Sequence, residues 1–292
     1  MLLSFFIPAA LTFAAGVILS DTHNFTVKRY EIESDKVRKN VRFLQISDLH
    51  GMNYGPANQK LVAAVKRLKP DFVLMTGDIM SAKELGKSIP DTVDTAERLI
   101  RDISADFPVY FALGNHEQRV KWRPEIFDFS YEDMMKRFMD AGAVILDNSS
   151  VIRYEGIGIY GFSLEKEHYL KTKKIKPADG FLNRALGNRS RSCYNILLAH
   201  DPEFAEIYAA WNPDLILSGH YHGGVARLPL LGGMISPKFR PFPKYSGGRY
   251  KVKDSDMIVS CGLGMHTIHL RFNNPGELVC IDLRKKTEIG KE

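Results

Sequence analysis

An α/β fold, built as a layered sheet with one functional edge, follows from two features of the 292-residue sequence. Short β-branched or apolar runs alternate with amphipathic helical segments, and run after run ends in a polar tip of Asp, Asn or His. The run at 108–113 shows this best, since it is apolar and aromatic, ends at Gly114 and opens into a loop holding Asn115, His116 and Glu117. An amide and an imidazole at the carboxyl end of a buried strand are poor core fillers, because each needs hydrogen-bond partners once buried, and good metal ligands or proton donors.

Residues 1–20 carry no charged side chain, and only Ser4, Pro8, Thr12, Gly16 and Ser20 interrupt their apolar run. As a helix they would reach about 30 Å, enough to span a bilayer. A cleaved signal peptide normally opens on a Lys or Arg cluster, which is missing here, although Ala14 to Gly16 offer a cleavage site. The expected reading is an uncleaved, single-pass anchor in the cell membrane. Lys28, Arg29, Lys36, Arg38 and Lys39 all follow the segment, which would keep the large domain in the cytoplasm. The same residues fall in the expected first strand pair, so the side of the membrane stays open.

Residues 21–292 read as one domain without repeat, low-complexity tract or linker. The stretch 26–32 alternates as an edge strand or hairpin. Residues 41–47 form a strand ending in Asp48, Leu49 and His50, and 57–68 a helix with Leu61, Ala64, Val65 and Leu68 on one face, stopped by Pro70. A strand at 71–76 closes on Gly77 and Asp78, and a helix at 92–104 leads to the strand before Gly114. Another helix is expected at 131–141, and short strands at 143–146, 151–154 and 156–162. The polar, lysine-rich stretch 165–191 reads as surface loop with one short helix. A very apolar strand at 195–199 leads to His200, where Asp201 and Pro202 suit the cap and first residue of a helix over 203–211. The strand 214–217 delivers His220, Tyr221 and His222. A Gly/Pro-rich stretch at 228–248 and two last strands, 257–261 and 277–283, complete the sheet.

Composition narrows the class. With 45% hydrophobic and 25% charged residues the chain is an ordinary globular protein, neither disordered nor multi-span. The formal charge of +6 and a sequence pI near 9.0 favour an anionic partner. The excess is scattered among acidic residues, so nucleic acid is an unpromising partner. Cys193, Cys261 and Cys280 lie in or beside apolar runs and read as small buried hydrophobes rather than a disulfide framework.

Five strand ends thus present Asp48 with His50, Asp78, Asn115 with His116, His200, and His220 with His222. The members of the Asp48/His50 and His220/His222 pairs are two apart, so in an extended segment each pair lies on one face and converges on a single ion. Imidazole mixed with carboxylate suits Zn, Mn or Fe. Seven donors, His116 excluded, are too many for one tetrahedral ion and right for two divalent ions sharing a bridge. A lone Asp at a strand end is an ordinary turn former and a lone His an ordinary core residue. Stacked along one sheet edge without a metal, so many polar groups would cost several kcal/mol of desolvation and repulsion. A zinc-protease reading fails, because the residue four after His116 is Val120.

Asp48-Leu49-His50, Gly77-Asp78, Gly114-Asn115-His116-Glu117, His200 and Gly219-His220-Tyr221-His222 together resemble, in order, the motif blocks of the calcineurin-like metallophosphoesterases, over roughly residues 40–225. Gly262-Leu263-Gly264, Arg271-Phe272-Asn273-Asn274-Pro275 and the hydrophobic amino terminus look like the membrane-anchored bacterial branch. The resemblance implies a four-layer α/β/β/α sandwich with an N-terminal hydrophobic helix. It implies that Asp48, His50 and His222 hold one ion, that Asn115, His200 and His220 hold the second, and that Asp78 bridges them. It further implies hydrolysis of a phosphoester (mono-, di- or pyrophosphate ester) by a hydroxide shared between the metals, with His116, whose intrinsic pKa lies near working pH, as the general acid. Glu117 is expected to orient the loop or a neighbouring imidazole. Tyr221 stands where the family usually has Thr, which is expected to alter the pocket wall.

Lys238, Arg240, Lys244 and Arg249, set among aromatic residues, read equally well as a bracket for a second phosphate or lipid headgroup and as a solvated loop. With a membrane anchor, the first reading makes a lipid-linked phosphoester the candidate substrate. A soluble-nucleotide phosphodiesterase uses the same metals, and a degenerate membrane scaffold would show a missing ligand, whereas every ligand position is filled. His266 and His269 read as packing or surface residues.

Overall fold

The computed structural model describes residues 2–83, 88–153, 156–170, 175–228, 230–265 and 270–286, with the side chains of 2–10 left aside. His266 and His269 lie outside the described residues.

Helix α1 (Leu2–His23) leads into β1 (Phe25–Ser34). Strands β2 (Val41–Ile46), β3 (Phe72–Met75), β4 (Val109–Ala112) and β5 (Ala143–Leu146) follow. Between them lie α2 (Gln59–Leu68), α3 (Ile89–Ser104), α4 (Asn115–Trp122) and α5 (Tyr131–Asp140). The chain then builds β6 (Ser149–Arg153), β7 (Ile157–Phe162), α6 (Phe181–Leu186), β8 (Tyr194–Ala199), α7 (Ala205–Ala210) and β9 (Leu215–Ser218). A two-stranded ribbon, β10 (Arg227–Leu228) with β11 (Gly232–Gly233), precedes β12 (Gly248–Val252), β13 (Ser255–Val259) and β14 (Gly276–Lys285).

These strands form two six-stranded sheets, ordered β1-β14-β2-β3-β4-β5 and β12-β13-β9-β8-β7-β6. Two sheets are what the four-layer sandwich implied by the resemblance requires, whereas the strand-by-strand reading ran them together as one; the chain crosses over after β5 and returns only with β14. Apolar runs that are buried on both faces hide this, because they look alike in one sheet or two. The period-2 alternation of each strand assigns its faces. Phe43, Phe72, Leu74 and Tyr110 of the first sheet meet Ile157, Ile196, Leu198 and Leu217 of the second in one apolar layer. The intervening Leu44, Ile46, Val73, Met75 and Phe111 pack on Leu61, Val65, Leu99, Ile103 and Phe138 of α2, α3 and α5. On the far side Leu197, Ala199 and Ile216 pack on Leu182 of α6 and on Ala205 and Tyr208 of α7. The result is an α/β/β/α sandwich. Gln45, fully buried in β2, ties its halves together by donating to Thr76 Oγ1 at 3.0 Å and to the Ser218 carbonyl at 2.9 Å.

β1 is an edge strand, the first of the two forms expected for it, and pairs in parallel with β14, some 250 residues on. Three local expectations change. The segment after Gly114 is the helix α4 and not a loop. The helix expected over 203–211 breaks into a 3-10 turn, Pro202–Phe204, and α7. α1 continues past Asp21 to His23, and its last turn is held by the core, since Asp21 Oδ2 accepts from the Asn274 amide at 2.9 Å. Among the described residues no helix is long and apolar enough to cross a membrane, so the spanning anchor at 1–20 is not supported. The three cysteines are free and buried, as expected.

Candidate metal centre

The carboxyl ends of β2, β3, β4, β8 and β9 come together at one edge of the sandwich. Their loops are stitched by backbone bonds, Asp48 N–H to the Gly77 carbonyl and His50 N–H to the Asp78 carbonyl, both 3.0 Å. Glycine is required where the loops touch: a Cβ on Gly114 would lie 2.2 Å from Asp78 Oδ1, and one on Gly219 2.1 Å from Asp48 Oδ2. Asp48, His50, Asp78, His220 and His222 all have φ between 49° and 67°, the left-handed region that costs a side-chain-bearing residue free energy. Such strain persists only where surrounding contacts enforce it, and here it falls on five of the seven expected ligands.

This backbone corrects the extended-pair argument. Asp48 and His50 do join one group with His222, but His220 and His222 do not converge. His220 belongs instead with Asp78 and His200. The groups Asp48/His50/His222 and Asp78/His200/His220 agree with the partition the resemblance implies for those residues, and His50, Asp78 and His116 form a third, overlapping group.

In the first group the facing Nε2 atoms of His50 and His222 are 3.1 Å apart, and His222 Nε2 is 3.4 Å from Asp48 Oδ1. In the second, His200 Nε2 is 3.0 Å from Asp78 Oδ2, and the His200 and His220 rings lie 5.0 Å apart. Asp78 Oδ2 is also 3.9 Å from His50 Nε2, which places this carboxylate between the groups. The outer ring nitrogens identify the tautomers: His200 Nδ1 donates to the Thr76 carbonyl at 2.7 Å and His222 Nδ1 to the Gly264 carbonyl at 3.2 Å. Nδ1 therefore carries a proton in each ring, and Nε2 faces inward, able to ligate once it is deprotonated. Asn115 Oδ1 is buried without a hydrogen-bond partner among the described residues. An orphaned acceptor of this kind fits a cation.

Electrostatics agree with a site poised for positive charge. Burial raises the Asp78 carboxyl, but the imidazoles of His200, His116 and His50 outweigh it and hold the group well below the usual range. Burial likewise opposes charge on His200, yet Asp78 and Asp48 carry its pKa up to about 10. A proton on that nitrogen thus stands in for the cation the carboxylates favour, and metal uptake must release it.

His116 departs from expectation. Burial lowers its pKa to about 4, so the imidazole is neutral at neutral pH and not poised near it. Its Nδ1 accepts the Ala82 amide at 2.8 Å, leaving Nε2 as the N–H donor. Glu117 orients loops and no imidazole. Its carboxylate accepts from the amides of Asp78 at 2.8 Å, Ile79 at 2.9 Å, Met80 at 3.3 Å and Gly114 at 2.9 Å, binding the β3 loop to the start of α4. A Glu three residues after Gly114 is half of a capping box, a sequence signal that could have revealed α4. Burial and then the Asp78 charge push this carboxyl up to about 7, but all four neighbours are donors, so the ionised form is the one this geometry holds.

The basic loop's cations have carboxylate partners, although Lys238 also lines the cavity above the donors. Lys238 is buried, 2.6 Å from Glu203 Oε2 and 3.3 Å from Asp201 Oδ2, and Arg240 pairs with the same Glu203. Lys244 reaches Glu206 and Arg249 reaches Asp256. Tyr221 lines an apolar pocket behind His222, with Val225, Ile235 and Leu270, instead of the wall above the donors. Lys238→Met should cost about 3–5 kcal/mol, because it removes the ammonium paired with the buried Asp201 carboxylate and one of the partners of Glu203, which keeps Arg240. Burial already raises Asp201. Its protonation relieves the variant in acid, so thermal melts should show a larger loss at mildly alkaline than at mildly acidic pH.

A cavity of about 230 Å³ opens above the donors, lined by Asp78, Asn115, His116, His220 and His222. Lys83, Arg119, Arg123 and Lys166 also line it, none of them singled out from sequence. The family model for calcineurin-like phosphoesterases matches residues 41–224. The chain belongs to that family. The uncharacterized metallophosphoesterase YkuE of Bacillus subtilis (strain 168) is 26% identical over 249 residues, covering 83% of this chain and 79% of YkuE. An uncharacterized metallophosphoesterase of Aquifex aeolicus (strain VF5) is 26% identical over 285 residues, 91% of this chain and 94% of that one. The serine/threonine-protein phosphatase CPPED1 of Bos taurus is 23% identical over 233 residues, covering 73% and 67%. This calcineurin-like phosphoesterase is thus an enzyme of metal-dependent phosphoester hydrolysis, and its clustered Asp and His side chains are suited to metal.

Proposed function

We propose that the enzyme hydrolyses its phosphoester with two divalent cations, Mn, Zn or Fe, one held by Asp48, His50 and His222 and the other by Asn115, His200 and His220, with Asp78 shared. The observation that carries this reading is the chain of overlapping buried groups, Asp48/His50/His222 and Asp78/His200/His220 linked through His50, Asp78 and His116, with the His200 and His222 Nδ1–H bonds turned outward. Cations bound there would acidify water and neutralise charge on the phosphoryl oxygens. The chain supplies the rest. His116, with Nδ1 engaged by Ala82, offers its Nε2–H to the leaving-group oxygen. Glu117 keeps the Asp78 and Asn115 loops at a constant separation, which preserves the orientation on which an in-line displacement depends.

A lipid-linked substrate is supported by exposed apolar side chains near the basic loop, Leu231, Phe239 and Phe242, and a membrane association of residues 1–20 by exposed Leu11, Phe13 and Leu19 on α1. Protein stripped with a chelator should lose hydrolysis of a chromogenic phosphate ester and regain it with Mn or Zn. Activity that persists in the stripped protein would overturn the reading.

A further inference from the structure

The cavity above the donors has more positive charge than a single phosphoester needs. Asp78 is the one carboxylate among its lining side chains, against Lys83, Arg119, Arg123, Lys166 and Lys238, of which Lys238 is matched by Glu203 and Asp201. Arg123 has an ion-pair partner in Glu125, at the rim. Arg119 differs: it is half-buried on α4, and its Nε is buried without a hydrogen-bond partner among the described residues. A guanidinium donor taken out of water and left unmatched is costly, so its position implies an anion that completes it.

Position on the helix says where that anion sits. Arg119 follows Asn115 by four residues, so the two side chains leave the same face of α4 one turn apart, about 5–6 Å between Cβ atoms. Asn115 belongs to the donor set, and a group reached from Arg119 is the neighbour of the reacting one. Guanidinium's planar fork matches two oxygens of a phosphate, which a lysine ammonium does not. Beyond it Trp122 and Tyr169, with ring centroids 5.7 Å apart, form an aromatic wall for an organic substituent.

We propose that Arg119 grips a second phosphate adjoining the one that is cleaved, so that the substrates of this enzyme are diphosphates and their esters. The proposal rests on the phosphoesterase reading of the same cavity and names its substrate class. A simple diester brings one negative charge to a cavity that presents several positive ones; a diphosphate brings at least one more and places it at Arg119.

The test compares Mn-loaded wild type with Arg119→Met and Arg119→Lys on p-nitrophenyl phosphate, a nucleoside diphosphate and an alkyl diphosphate in detergent micelles. For whichever diphosphate is turned over, kcat/KM relative to the aryl phosphate should fall at least tenfold in Arg119→Met, chiefly through KM, and less in Arg119→Lys. Preference between the two diphosphates then tells a soluble from a lipid source. Inorganic pyrophosphate binding, followed by calorimetry, should weaken by a similar factor and requires no turnover. Equal losses on all substrates, or pyrophosphate binding that Arg119→Met leaves as tight as before, would overturn the proposal. Failure to hydrolyse any ester would instead count against the phosphoesterase reading, with the calorimetry still deciding the role of Arg119.

Discussion

Asp78→Asn should lower kcat/KM for a chromogenic phosphate ester by about a thousandfold, or ~4 kcal/mol of transition-state stabilisation. The substitution keeps shape, and its amide oxygen can still accept the His116 N–H that Asp78 Oδ1 takes at 2.8 Å. It places an NH₂ where Oδ2 lies 3.0 Å from His200 Nε2 and 3.9 Å from His50 Nε2. A carboxylate set between the two groups of expected ligands would be lost, and metal content measured by elemental analysis should drop with the rate. The metal-free proteins should also differ with pH. His200 is raised from 6.5 to about 10, so its ion pair contributes fully below 6.5 and fades as pH climbs through 10. The stability gap between metal-free wild type and Asp78→Asn should therefore be widest in mild acid and shrink in alkali. A variant that hydrolyses the ester at near wild-type rate would refute the shared-carboxylate arrangement.

Glu117→Gln should destabilise the fold by about 3–5 kcal/mol and abolish most activity, although Glu117 touches no substrate. The carboxylate receives four amides, two on each oxygen, three from residues 37–39 positions away in sequence and one from three positions away. Glutamine retains one acceptor oxygen and turns an NH₂ toward two N–H groups, which leaves buried donors unmatched. The β3 loop and the start of α4 would then separate, moving Asp78 away from Asn115. Urea melts should show the loss of stability, and a crystal structure of the variant the displaced loop. Wild-type stability together with wild-type activity would show that the four amide bonds matter little.

Much of the centre was legible because strand ends announce themselves. An apolar run that stops at Asp, Asn or His is a local pattern, and it picked out residues 48, 50, 78, 115, 200, 220 and 222 without any knowledge of their neighbours. How the donors divide was not readable from spacing. His220 and His222 separate whereas Asp48 and His50, equally left-handed, converge, so contacts from distant segments decide, among them Asp48, which accepts the His220 amide at 2.9 Å and 3.0 Å from 172 residues away. Lys238 misled for a related reason: as a sequence neighbour of Arg240 and Lys244 it looked like part of a basic patch, whereas Glu203 and Asp201 on another segment consume its charge. Arg119 and Lys166 drew no notice because a lone cation on a polar segment is ordinary until a cavity gathers several.

Most of the order of strands and helices, α4 and β12 excepted, the two-sided burial of the sheets and the choice of candidate donor residues were determined by sequence alone, since each depends on periodicity within a few residues. Tertiary structure decided which donors share a centre, which charges are neutralised and which face the cavity. Those outcomes depend on backbone torsions and on contacts between segments far apart in the chain, where a difference of a few ångströms separates a matched ion pair from an open binding group.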